Sequence, residues 1–484
     1  MSFTPTPEQL ACVEASASSD DNLLIRALAG AAKTSTLVLI AEALPSTQIL
    51  CLAFNKRIAT EMQERLPNNC TAQTLNSIGH RVWSEAIGRR LQINPSKTYD
   101  IFTEILSKTN DEFLKKEAYE NLADLMRTVD FGKACGFIPT GHYDGQPFRA
   151  KRLMDTEEFF GHLDEELPDY LQDLIIEVTL VSLKMAFEGK CDYNDQILMP
   201  TVFHGAFPRF PLVLIDEAQD LSSLNHAMLR KLVKKRLIAV GDENQAIYGF
   251  RGAHENSMSL LREEFSMREL PLSISFRCPV TVVKHARFRA PEMKWPEWAK
   301  EGEVRTWQSY TANEIPDGSA VICRNNAPLF NFAIKLLKNG RYAELYGNDI
   351  GKSLLKLMKK LGPESLLQDD VMQRIADWEE EKLKKAKNRG EDGVRDRAEC
   401  LRIFARQGKD LGEAMAYAQH VFNSRGPLKL MTGHKSKGLE FRDVFFLDEH
   451  LVGEKGQDPN LRYVIITRAK ETLTYIKTED FVDT

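Results

Sequence analysis

The sequence predicts an α/β protein built on parallel sheets and interrupted by long helical stretches, and three observations carry that reading. An apolar run, Leu23-Leu24-Ile25, passes through the small-residue loop Ala27-Leu28-Ala29-Gly30-Ala31-Ala32 into Lys33-Thr34-Ser35-Thr36 at the head of a helix. Short apolar runs recur along the chain and end in polar or charged tips, as strands do where open α/β sheets bind ligands. Two stretches, about Val82 to Pro200 and Lys352 to Phe422, turn helical and charged between those runs. With 484 residues the chain exceeds what one core organises, so two to four domains are expected.

Composition is that of an ordinary globular protein, 43% apolar and 27% charged. No apolar run reaches the roughly 18 residues of a membrane span, and Met1 to Pro7 lacks a signal-peptide layout, so a cytoplasmic protein without a membrane partner is expected. The eight cysteines are scattered with no C-x-x-C, which speaks for reduced thiols and against a zinc or iron–sulfur site. A net charge of -5 leaves no global basic footprint, so nucleic-acid binding requires local grooves of Lys and Arg.

The loop before Lys33 has the makings of a phosphate cradle. Backbone N–H groups of Ala29, Gly30, Ala31 and Ala32 and the positive end of the following helix suit phosphate oxygens, Lys33 suits the β/γ-phosphates, and the Thr34 hydroxyl suits Mg2+. Against the pattern G-x-x-x-x-G-K-S/T, Ala27 and Ala32 replace the glycines. Alanine disfavours positive φ, so Ala32 calls for a backbone that an L-residue adopts. An ordinary strand-to-helix turn with a surface Lys fits the same residues. Upstream, Thr6 and Pro7 read as N-cap and first position of a surface helix; Gln9 fits that helix and equally fits an amide reading an adenine edge.

The run Gln48 to Phe54 ends in Asn55-Lys56-Arg57, and Thr71 to Arg81, containing Thr74 and Asn76, is another tip or a helix start. Amphipathic helices are expected around Tyr99 to Leu106, Glu117 to Val129 and Tyr170 to Phe187. Phe210 to Ile215 delivers Asp216-Glu217-Ala218-Gln219-Asp220, where the first acid suits Mg2+ through water and the second suits polarising a water. Leu237 to Val240 delivers Gly241-Asp242-Glu243-Asn244-Gln245-Ala246-Ile247-Tyr248-Gly249-Phe250-Arg251-Gly252-Ala253, whose aromatics beside an Arg suit stacking on bases. After Phe276-Arg277, the Trp-bearing segment Ala290 to Trp307 leads into a second αβ unit with a strand at Ala320 to Cys323. The mixed charges of Asp377 to Lys385 mark a solvated helix face. Leu428 to Thr432 runs into Gly433-His434-Lys435-Ser436-Lys437-Gly438-Leu439-Glu440-Phe441, and Tyr463 to Lys470 contains Thr467-Arg468.

In this order, D-E-A-Q-D, G-D-E-N-Q-A-I-Y-G-F-R-G-A, H-K-S-K-G-L-E-F and V-I-I-T-R-A-K resemble the UvrD/Rep group of superfamily-one DNA helicases over nearly the whole chain. The resemblance implies two RecA-like parallel-sheet motor domains of the P-loop NTPase type with mainly α-helical insertions. It implies a first motor at 1–84 and 206–275 with its insertion at 85–205, and a second at 276–345 and 426–484 with a reduced insertion at 346–425. It implies ATP and Mg2+ as cofactors, held by Gln9, residues 29–35 through Ser35, Phe276 at the base and Glu440 at the ribose, with Thr34 and Asp216 on the metal. Glu217 would be the catalytic base, Gln245 the γ-phosphate sensor, and Arg277 and Arg468 arginine fingers reaching across a cleft. Asn55, Lys56, Thr74, Tyr248, Phe250, Arg251 and His434 would meet single-stranded DNA.

The implied activity is ATP-driven 3′ to 5′ movement on single strands and unwinding at junctions with duplex. Departures from the family pattern are Ala32 for Gly, an aromatic shifted by one at Ala53-Phe54-Asn55-Lys56, Phe250 for a stacking Trp, and Asn76 for His. Two rivals remain from the residues: a nucleotide-gated DNA-binding accessory protein with weak ATPase, and a small-molecule P-loop kinase.

Overall fold

A computed structural model describes residues 4–163, 167–249, 256–346, 348–385 and 391–483. The chain divides into two units, residues 1–27 with 32–272, and residues 28–31 with 273–484. Each has its own six-stranded sheet, and every strand pair in both sheets is parallel.

In the first unit the strands are β1 (Leu23–Ala27), β2 (Ile49–Leu52), β3 (Cys70–Gln73), β4 (Phe210–Ile215), β5 (Val233–Gly241) and β6 (Arg268–Leu272), in the order β6-β1-β5-β4-β2-β3. The inner strands β1, β2 and β4, and β5 from Leu237 on, are mostly apolar because helices cover both faces of such a sheet. β6 carries Pro271, which a strand tolerates at an edge where its missing N–H breaks no ladder. The Thr71 to Arg81 segment is both things expected of it, since β3 ends at Gln73 and a helix starts at Leu75 behind the Thr74 cap.

The first insertion has a core of its own around Phe102, Phe137, Phe159 and Ile175. Its helices include Lys97–Lys108, Glu112–Glu120, Leu122–Cys135, Asp169–Phe187 and Asp195–Val202. The helix expected through Glu117 to Val129 is in fact two, parted at Asn121, whose short amide favours a local turn over a continuing helix. Four charges are sealed inside. Lys133 Nζ lies 2.8 Å from Asp195 Oδ1 and 2.5 Å from Asp192 Oδ2, and Lys97 Nζ lies 2.6 Å from Asp195 Oδ2. The helix Asp195–Val202 crosses Leu75–Ile87 so closely that a Cβ on Gly79 would stand 2.0 Å from the Gln196 carbonyl oxygen.

In the second unit the strands are β7 (Glu303–Thr306), β8 (Ala320–Cys323), β9 (Ala343–Leu345), β10 (Leu428–Thr432), β11 (Phe441–Leu447) and β12 (Ala469–Ile476), in the order β7-β12-β11-β8-β10-β9. The edge strands β7 and β9 are three or four residues long and only partly buried, so they give no apolar run to find in the sequence. Helices Asn348–Leu361, Gln368–Lys385, Glu391–Ala405 and Leu411–Asn423 form the second insertion. Among the described residues it shares a core with the sheet layer: Phe404, Leu401 and Met358 pack in one cluster with Phe330, Leu430 and Phe445. Among the described residues no helix is long and apolar enough to cross a membrane.

Candidate functional site

At the carboxyl end of β1 the helix Lys33–Glu42 begins, and Ala32 caps it in the left-handed region at φ 56 and ψ 43. This corrects the expectation of an ordinary L-residue backbone there: the turn into the helix demands a conformation natural to glycine. Residues 28–31 group with the second unit, where Ala29 N–H donates to Tyr463 Oη at 3.0 Å and Phe276 N–H donates to the Gly30 carbonyl at 2.9 Å. Gly30 has φ 75, and a Cβ on it would meet Arg277 Cβ at 2.7 Å, so only glycine fits. Ala31 is buried.

Lys33, Thr34, Asp216 and Glu217 converge in the first unit. Thr34 Oγ1 donates to Asp216 Oδ2 at 2.7 Å, and Lys33 Nζ lies 3.2 Å from Glu217 Oε2. Burial works against the Lys33 ammonium, yet Glu217, then Asp216 and Asp242, hold its pKa above the ordinary lysine value. Burial, reinforced by Glu217, pushes Asp216 up to about 6, while Lys33 and the Thr34 hydroxyl pull the other way. A hydroxyl and a carboxylate side by side are the oxygen donors a hard divalent cation takes, so the pair fits Mg2+.

Glu217 itself is left-handed, φ 55 and ψ 43, a strained conformation of the kind found at working sites. Gln219 Nε2 donates to Glu217 Oε2 at 2.6 Å, while Gln219 Oε1 accepts from Asp242 N–H at 3.0 Å. Asp242, raised by burial, accepts from Gln245 Nε2 at 2.6 Å. A chain of polar contacts therefore joins the end of β4 to the end of β5.

Gln9 is buried; its Oε1 accepts from Thr6 N–H at 3.0 Å in a capping box, and its Nε2 donates to Thr36 Oγ1 at 3.0 Å. The amide thus serves the helix cap and touches the helix that follows the loop. Ser35 Oγ accepts from Arg65 at 2.9 Å.

In the second unit, Arg277 Nε donates to Glu440 Oε2 at 2.8 Å, and Lys470 Nζ reaches Glu440 Oε1 at 3.1 Å. Burial alone would raise Glu440; Arg277 and Lys470 hold it below the usual carboxylate range. Arg468 is 1% exposed, with its guanidinium donating to Val464 O, Leu439 O and Thr467 Oγ1. Phe276 stacks on Trp298 with ring centroids 6.2 Å apart.

Residues 6–266 match the family model of the UvrD/REP helicase N-terminal domain, and residues 427–476 match that of the UvrD-like helicase C-terminal domain. The chain belongs to the UvrD/Rep helicase family. It is 26% identical over 301 residues to F-box DNA helicase protein 1 of Schizosaccharomyces pombe, covering 58% of this chain and 32% of that one. It is 26% identical over 293 residues to DNA helicase IV of Escherichia coli, covering 52% and 42%. To the ATP-dependent DNA helicase PcrA of Leuconostoc citreum it is 23% identical over 332 residues, covering 62% and 42%. The chain spans about a third to two fifths of the length of these curated relatives.

The two parallel sheets of this UvrD/Rep-family chain belong to its two RecA-like domains. Its remaining described candidate residues follow strands in the chain. Asn55 caps the helix Lys56–Gln63, accepting from Ile58 N–H at 3.0 Å, and Thr74 caps Leu75–Ile87, accepting from Ser77 N–H at 3.1 Å. Phe54 beside Asn55 is 53% exposed. Lys56 is exposed, Tyr248 and His434 are half-buried, and Phe250 and Arg251 lie outside the described residues.

Three residues escaped the sequence reading. Gln219 stands inside D-E-A-Q-D, flanked by acids whose chemistry is the stronger signal, and Asp242 heads the next tip. Tyr193 is 58% exposed, and Asn76 Nδ2 donates to its carbonyl at 2.6 Å. Its one signal was an aromatic in Asp192-Tyr193-Asn194-Asp195, between acids now seen to bind buried lysines.

Proposed function

We propose that this chain is an ATP-driven motor on single-stranded DNA that moves 3′ to 5′ and opens duplex at single-strand/double-strand junctions. The observation that carries the reading is the convergence of Lys33, Thr34, Asp216 and Glu217 at the ends of β1 and β4. Lys33 and the loop N–H groups hold the phosphates of ATP, with Gln9 and Phe276 at the base and Glu440 at the ribose. Thr34 and Asp216 hold Mg2+, which neutralises phosphate charge. Glu217 orients the attacking water and takes its proton, and Arg277 and Arg468 stabilise charge on the γ-phosphate.

The contacts from Glu217 through Gln219 and Asp242 to Gln245 support a link between hydrolysis and DNA, because Tyr248 and the base-stacking candidate Phe250 follow Gln245 within five residues. Exposed Phe54 and Tyr193 add aromatic faces on which bases of any identity stack. The four tips at Asn55, Thr74, Tyr248 and His434 take the strand.

The test is ATPase measured with and without oligo(dT), followed by unwinding of duplexes bearing a 3′ or a 5′ tail. Strong stimulation and opening of the 3′-tailed duplex are expected. ATPase indifferent to DNA would end the motor reading in favour of a kinase. Binding without turnover would favour a nucleotide-gated accessory protein, the reading that the strained Ala32 speaks for.

A further inference from the structure

A cavity of about 90 Å3 opens on the first unit, lined by Lys151, Leu153, Thr201, Ala227, Arg230 and Lys231. That is well above the ~10–15 Å3 that one water needs. Thr201 is 2% exposed, and its Oγ1 is one of three buried side-chain polar atoms without a hydrogen-bond partner among the described residues. A buried hydroxyl left unpaired is costly, so a partner for it, such as a water or an ion, is called for.

The charged residues that line it are all basic. Arg230 and Lys231 occupy the last turn of the helix Ser223–Leu232, where cations complement the helix dipole, and Arg230 is paired with Glu264 at 2.5 Å. That accounts for Arg230. It does not account for Lys151, exposed on a separate segment tethered by its N–H to the Val202 carbonyl at 2.8 Å, close enough to Lys231 to depress the latter's pKa together with burial. Lys231 also lies over the Phe207 ring at 5.6 Å. Two ammonium groups set against each other beside an unpaired hydroxyl are satisfied together by one compact anion.

We propose that this cavity binds a tetrahedral phosphate oxyanion, taking hydrogen bonds from Thr201 Oγ1, Lys151 and Lys231, at a site separate from the Lys33 loop. The group is either free phosphate or a phosphodiester of a polynucleotide lying on this face.

The test uses the full chain with Lys33→Ala as parent, so that the nucleotide loop does not compete. Inorganic phosphate is titrated by calorimetry at fixed low salt into the parent and into Thr201→Val, Lys151→Met and Lys231→Met made in it. Each variant is expected to bind about tenfold more weakly, the scale of one lost charge-assisted hydrogen bond. Thr201→Val deletes an unpaired hydroxyl without changing charge, so its urea midpoint should equal or exceed the parent's, which separates lost binding from lost fold.

The same variants are titrated with oligo(dT). Weaker phosphate binding with the oligonucleotide unchanged assigns the site to free phosphate, and weakening of both in Thr201→Val assigns it to a polynucleotide. Phosphate binding equal to the parent's in all three variants overturns the proposal. So does an effect confined to the two lysine variants, which is ordinary surface charge.

Discussion

Lys33 Nζ and Glu217 Oε2 stand 3.2 Å apart, so the proposed phosphate ligand and the proposed base neutralise one another in the free protein. The pairing accounts for how two charged groups are held in a mostly buried setting: each serves the other as a counter-ion. Under the proposed function, substrate entry would exchange the Lys33 contact from carboxylate to phosphate and release Glu217 to face water.

From that exchange, Lys33→Ala is expected to abolish ATPase. Glu217→Gln is expected to bind ATP at least as well as the parent and not to hydrolyse it, since the amide keeps the shape but takes no proton. Nucleotide binding and single-strand-stimulated turnover measure both; normal turnover in either variant removes the assignment.

Asp216 gives a pH signature. Its folded pKa of about 6 exceeds the 3.8 of an unperturbed Asp, because burial and Glu217 disfavour its charge. Between those values the folded protein keeps a proton that the unfolded chain has released. The stabilising contribution of the group is therefore complete below the lower value and is lost as pH rises through the upper one. The stability of the wild type relative to Asp216→Asn should decline between those two pKa values and then level off. Urea unfolding across that window reads it, and a difference independent of pH contradicts it.

Ala32→Gly tests the left-handed cap. Glycine removes a steric cost of roughly 1–2 kcal/mol and adds back up to about 1 kcal/mol of unfolded-state entropy. A net gain of up to about 1 kcal/mol in urea unfolding is expected, and a loss of stability is the contrary result.

Arg277 and Arg468 should part company. Both substitutions to Ala are expected to reduce turnover on the order of 10³-fold as arginine fingers. Arg277 is partly exposed and paired with an exposed Glu440, so its loss should cost less than about 1 kcal/mol of stability. Arg468 is buried against two carbonyls and a hydroxyl, and its loss should cost on the order of 3 kcal/mol as well. Turnover and denaturation on the same preparations decide it. Unchanged turnover takes either residue out of the mechanism.

Tyr193 and Lys133 offer the opposite contrast. Tyr193→Ala should weaken oligo(dT) binding by roughly 1–3 kcal/mol with the fold intact. Lys133→Met strands the Asp192 carboxylate, leaves Asp195 with Lys97 alone, and should destabilise the protein by about 3–5 kcal/mol. Equal single-strand affinity with and without the Tyr193 ring is the result against it.

Much of the site was legible because phosphate chemistry demands particular side chains at fixed short spacings: Lys33-Thr34 and Asp216-Glu217 announce themselves wherever they fold. The inner strands β1, β2, β4, β5 and β10 were legible too, since burial on both faces favours largely apolar runs. Edge strands β7 and β9 were not, because a strand covered on one side obeys no such requirement. The break at Asn121 was hidden for a related reason: apolar period continues across it.

What the sequence by itself determined is therefore the set of reactive groups and the sheets that carry them. Tertiary structure alone decided which group meets which. Gln219 bridges Glu217 to Asp242, Gln9 spans a cap and Thr36, Ala32 is driven left-handed, and Lys97 and Lys133 are sealed against Asp192 and Asp195. The physical reason is that local pattern encodes burial and backbone preference, whereas a hydrogen bond or ion pair between distant residues depends on a crossing angle and a register that no single segment contains.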